Sequence, residues 1–84
     1  KYKVGDVVDL DDVAWRSPEV AANVLSAITE GVQLFLRAGL AFDPAQFELQ
    51  ARLLKDDVLH ICVELPHGHE VSTLVTPDMW EWRK

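Results

Sequence analysis

The chain holds a single cysteine, Cys62, so no disulfide can form within it. Placed in mid-strand among apolar neighbours, that lone thiol suits a reducing compartment, and the expected location is cytoplasmic. Glycine is equally sparse. The four glycines stand apart at positions 5, 31, 39 and 68, which rules out a Gly-rich phosphate-binding loop. No apolar run approaches the length of a membrane span and no signal peptide is visible, so no membrane partner is expected. Basic residues are few: eight lysines and arginines face fourteen carboxylates, for a net charge of −6. Such a chain is repelled by phosphate backbones and anionic lipid, and no nucleic-acid partner is expected. Met79 is the only methionine and the sequence opens at Lys1, so the native N-terminus is expected to have been trimmed or left out.

What remains is a short, apolar-rich chain. Its 84 residues make one small domain spanning 1–84. A body of this size buries only about 60–65% of its unfolded surface. With 49% hydrophobic residues, part of that apolar content is available for covering by a second chain.

Residues 46–76 carry the clearest pattern. Phe47, Leu49, Ala51 and Leu53 alternate with polar residues, as do Leu59, Ile61, Val63 and Leu65, then Val71, Thr73 and Val75. A period of two over three consecutive segments describes an antiparallel meander with one buried face. A loop at residues 55–57 would pair Leu53 with Leu59, Ala51 with Ile61, and Leu49 with Val63. A loop at residues 67–69 would pair Leu65 with Val71, Val63 with Thr73, and Ile61 with Val75. Both registers keep the apolar residues on one side.

Ser17-Pro18-Glu19 is a helix start: a serine oxygen for the first free N–H groups, a proline preset for the first turn, and a glutamate at the positive end of the dipole. The helix is expected to run to about Ala38 with Gly39 as its cap. At 100° per residue Val24, Leu25, Ile28, Val32, Phe35 and Leu36 share a broad face expected to cover the sheet. Residues 1–10 read as a strand region interrupted at Gly5-Asp6, which either joins a sheet edge or pairs with a partner. Residues 11–17 read as a connector. Thr76-Pro77-Asp78 reads as a second helix start leading into Met79-Trp80-Glu81-Trp82, where a short helical turn is expected, although Trp-Glu-Trp alternation also suits a strand. The expected fold is therefore α+β, in the order β-α-β-β-β: a three-stranded antiparallel meander packed on one long helix, with a short C-terminal helical turn.

Residue types that carry chemistry are present without a constellation. His67 and His69, flanked by Glu64 and Glu70, have the atoms for zinc or nickel, but His60 lies roughly 20 Å down the strand at ~3.3 Å per residue, so no metal is expected. Asp9, Asp11 and Asp12 lack the spacing of a calcium loop. His60 and Cys62 share a strand face, yet the sequence offers no third orienting group or oxyanion donor for a thiol nucleophile. No cofactor and no enzymatic activity are expected.

Surface residues are the better candidates. Ala27, Gly31 and Ala38 form a small-residue strip beside the main helix face, with Leu34 next to it. Glycine inside a helix costs about 1 kcal/mol relative to alanine, so Gly31 points to a close backbone approach, by the chain's own N-terminal strand or by a second protomer. Trp15, Trp80 and Trp82 are of the type enriched at protein interfaces and would equally close the ends of a small core. The expected function is a small acidic protein-binding module that masks or bridges a protein partner, basic in character, as inhibitors, antitoxin-like, immunity-like or phage-encoded accessory proteins do. The alternative is a structural or assembly subunit forming a homo-oligomer. A small enzyme or ligand binder around His60 and Cys62 ranks third. A homodimer is expected, through the strip around Gly31, the edge of the last strand, or both.

Overall fold

The computed structural model describes residues 2–41 and 43–83. The fold is α+β: one long helix packs on a four-stranded antiparallel sheet, with a second, two-stranded ribbon at one end. The strands are β1 (Val7–Val8), β2 (Val13–Trp15), β3 (Glu48–Leu53), β4 (Leu59–Glu64), β5 (Glu70–Val75) and β6 (Trp80–Trp82), and the helix is α1 (Pro18–Ala38). The main sheet has the order β1-β3-β4-β5, so the N-terminal strand joins the sheet at the edge of β3.

Local chemistry sets the limits of α1. The Ser17 side chain accepts from the Glu19 N–H, and Gly39 turns left-handed at φ 71°, letting the Leu40 N–H reach the Phe35 carbonyl at 2.9 Å. The expected return loop at residues 40–45 includes residue 42, which lies outside the described residues.

The first hairpin takes the register written in its alternation: Leu53 opposite Leu59, Ala51 opposite Ile61, Leu49 opposite Val63. The second departs from expectation by two residues, with Val63 opposite Val71, Ile61 opposite Thr73 and Leu59 opposite Val75. Its three-residue loop is Pro66-His67-Gly68, closed by the Leu65 N–H on the His69 carbonyl at 2.8 Å. Proline is preset for the first loop position, and Gly68 at φ 78° meets the left-handed requirement of the third. A shift of two leaves every side chain on its original face, so the apolar surface is unchanged.

Two expectations at the ends are corrected. The C-terminal helical turn lasts only from Pro77 to Met79. Trp-Glu-Trp then forms β6 and pairs with β2, which lies inside the expected connector, matching Val13 with Trp82 and Trp15 with Trp80. The partners are far apart in sequence, so no local pattern announces them. Arg16 ties the ribbon down by donating to the carbonyls of Pro77 and Trp80, at 2.6 and 3.0 Å.

The helix face is corrected as well. Val20, Ala27, Gly31 and Phe35 are the buried positions, while Leu25 and Leu36, expected against the sheet, are 64% and 62% exposed. Relative to the expected face, the buried stripe is rotated by roughly 80° at 100° per residue. Gly31 is the reason: a Cβ there would meet the δ carbons of Leu65 at 2.8 and 2.9 Å, so the missing side chain lets α1 seat on Leu65. The helix consequently lies over β5 and β4. The core has two parts. Val8, Val13, Val20, Ala51, Leu53, Leu59, Ile61, Val75 and Trp80 fill one end, and Ala27, Phe35, Val63 and Leu65 the other.

Candidate functional site

Because α1 sits over β4 and β5, the first half of β3 has no helix above it. The consequence is visible along a single strand face. Ala51 and Leu53 are buried, but Leu49, on the same face, is 42% exposed. β1 pairs only with Ala51 and Arg52, so it does not extend far enough to cover Leu49. Between this bare stretch and the helix flank lies an apolar groove of about 450 Å³, lined by Trp15, Val20, Val24, Leu25, Ile28 and Leu49. It continues past Ile28 and Leu49 into a second depression of about 240 Å³ that reaches Phe47, Val63 and Glu48. Leu25, Ile28, Val32 and Leu36 recur along the helix at intervals of three and four, the spacing by which one helix meets another.

Glu48 lines the far end of this groove, but strand alternation places its carboxylate, with those of Glu64 and Glu70, on the outer face of the sheet. Glu48 lies directly opposite Glu64, and Glu64 directly opposite Glu70, so three glutamates form a row across β3, β4 and β5. Like charges directly opposite on a sheet are mutually destabilising. Among the described residues none of the three is ion-paired; the salt bridge seen there is Arg16 with Glu81, at 4.0 Å.

The sequence-derived candidates are distributed rather than assembled. Ala27 and Gly31 are buried under the chain's own sheet, so the first part of the small-residue strip is not a free surface: Leu65 occupies the space that Gly31 leaves. Ala38 and Leu34 are exposed, Leu34 to 43%. Trp15 is 38% exposed and forms one wall of the groove. Trp80 is a core residue at 3% exposure, its indole N–H donating to the Asp57 carbonyl at 3.1 Å. Trp82 stacks on Tyr2 with ring centroids 5.1 Å apart. By periodicity alone the groove residues Leu25, Ile28, Phe47 and Leu49 read as core. The signal that separates them is Gly31: seating the helix on its glycine side leaves the opposite flank bare.

The polar candidates find local roles. His60 and Cys62 do share the outer sheet face, in a shallow depression of about 240 Å³ with Gln50, Arg52, Glu64 and Glu70. The Cys62 thiol donates to the Glu70 carboxylate at 3.3 Å. Burial, then the hydrogen bond and negative charge of Glu70, then the charge of Glu64, push its pKa up to about 11, so the thiolate needed for nucleophilic attack is scarce at neutral pH. His67 and His69 set their rings edge-on against Phe35, with centroids 6.2 and 5.8 Å away. Asp9 accepts from the Asp11 N–H, and Asp12 accepts from the Tyr2 hydroxyl. Among the described residues no group of three or more His, Cys, Asp or Glu is arranged to hold a metal ion, and no helix is long and apolar enough to cross a membrane. Compared with known protein families, with curated proteins and with solved structures, the chain matches none.

Proposed function

We propose that the protein is a non-enzymatic protein-binding module of the cytoplasm whose groove between α1 and β3 receives an amphipathic helix with a basic end. The observation that carries this reading is the junction of two unsatisfied surfaces. An uncovered apolar trough, walled by Leu25, Ile28, Leu49 and Trp15, ends at Glu48, the first member of a glutamate row that runs along the outer sheet face without an ion pair among the described residues. Apolar side chains at helical spacing fill such a groove, which is a recurrent mode of recognition. A lysine or arginine at one end of the incoming helix, reaching past the start of β3 to Glu48 on the outer face, relieves the carboxylate repulsion that the isolated chain bears, and the net charge of −6 steers a basic partner toward it. The protonated, hydrogen-bonded state of Cys62 favours binding over thiol catalysis.

Two labelled synthetic helices test this, sharing one leucine pattern but carrying lysine in one case and glutamate in the other. Fluorescence anisotropy is expected to show saturable binding of the lysine peptide alone. That binding should be lost in Leu25→Glu and weakened in Glu48→Gln, with both variants folded by circular dichroism. Equal binding of both peptides, or none of either, refutes the proposal. The assembly-subunit reading rests on a different surface, the edge of β5.

A further inference from the structure

The last strand of the main sheet, β5, hydrogen-bonds to β4 on one side and to no other described strand on the other. Natural sheet edges are normally guarded by a lysine, a proline or a bulge. Between Val71 and Val75 this edge has neither charge nor proline. We infer that a second copy of the chain pairs with it, β5 against β5 in antiparallel orientation, with Ser72 opposite Ser72 of the other copy.

The register follows from the direction of the backbone groups. Leu65 donates to His69 across the second hairpin, and antiparallel pairs alternate between bonded and non-bonded. Counting by two along the ladder, Val71, Thr73 and Val75 aim their N–H and C=O groups at β4. Glu70, Ser72 and Leu74 therefore aim theirs outward. A two-fold axis pairs the same patch with itself. Centred on Ser72, it lets all three outward residues of each copy both donate and accept. Centred on Val71 or Thr73, it leaves one of the three without a strand partner.

Charge permits this register. With Ser72 at the axis, Glu70 faces Leu74 of the other copy, so no carboxylate opposes a carboxylate in a chain of net charge −6. Leu74, 55% exposed in the single chain, gains a neighbour. Leu34, 43% exposed, lies on the flank of α1 opposite the groove. The pairing leaves the groove free, so the two surfaces act independently.

Sedimentation at micromolar concentration tests the inference, comparing the natural chain with Ser72→Lys. Ser72 is exposed and its backbone faces outward, so lysine is tolerated in the single chain but meets its own copy in the pair. The natural chain is expected to form a concentration-dependent dimer and Ser72→Lys a monomer with an unchanged circular dichroism spectrum. Cross-linking fixes the register. Cys62 lies directly opposite Ser72 within the chain and would capture a new thiol, so the cysteine is introduced in a Cys62→Ser background. Facing Cα atoms in a bonded antiparallel pair are about 5.5 Å apart, within disulfide reach. Ser72→Cys is expected to give a covalent dimer on air oxidation in far higher yield than Leu74→Cys, whose opposite residue is Glu70. A monomeric natural chain, a dimer that survives Ser72→Lys, or equal cross-linking from both positions overturns the proposal.

Discussion

Replacing Gly31 by alanine sets two effects against each other whose balance depends on one neighbour. Alanine in a helix interior is favoured over glycine by about 1 kcal/mol. Against that, the new Cβ would lie 2.8 and 2.9 Å from the δ carbons of Leu65 and 3.4 Å from its γ carbon. Leu65 is only 6% exposed and is held among Ala27, Phe35 and Val63, so its retreat disturbs the smaller part of the core. Overpacking of this kind typically costs ~1–3 kcal/mol. The clash outweighs the propensity, and Gly31→Ala is expected to lower stability by about 1 kcal/mol net. Leu65→Val removes the δ carbons at a cost of about 1 kcal/mol while retaining a branched apolar side chain. In that background Gly31→Ala meets no obstruction and should raise stability by about 1 kcal/mol, the propensity gain alone. The sign of the same substitution thus reverses between the two backgrounds. Urea denaturation followed by tryptophan fluorescence, at one fixed protein concentration, measures all four corners of the cycle. If Gly31→Ala stabilises both backgrounds equally, α1 is not seated on Leu65, and the bare flank that forms the groove loses its basis.

Two further outcomes are expected. Glu64→Lys turns both like-charge contacts of the glutamate row into attractive ones and should raise stability by about 1 kcal/mol at low salt, the gain shrinking as salt is added; a thermal melt showing no gain would mean the three carboxylates do not interact. Cys62 has its pKa raised from 9.0 to about 11 in the folded chain, so the unfolded state loses its proton first: the thiol's contribution to stability is complete below pH 9.0 and fades as pH rises toward 11. Reaction with a thiol-specific reagent should accordingly still be accelerating across that interval, and a rate that levels off once pH passes 9.0 would show the thiol to be unburdened by Glu70.

Features that depend on neighbours within a few residues are legible along the chain. Ser17, Pro18 and Gly39 set both limits of α1, because capping and dipole effects act within one turn. The alternation from Phe47 to Val75 determined which side of the sheet is buried, because side chains alternate strictly along a strand. That parity survived the two-residue shift of the second hairpin, where Pro66 and Gly68 claimed the loop positions suited to them. The remainder comes from packing between distant segments. The pairing of β2 with β6 joins segments more than sixty residues apart, and whether Trp80–Trp82 becomes helix or strand depends on that distant partner. The angular position of α1 was decided by the fit of Gly31 on Leu65, a contact between residues that no helical period relates. Periodicity marks Leu25, Ile28, Phe47 and Leu49 as apolar, and it would read the same whichever side of the helix met the sheet. Only the packing converts these four from core residues into a groove, since a small core cannot cover every apolar residue that its own helix and strands present.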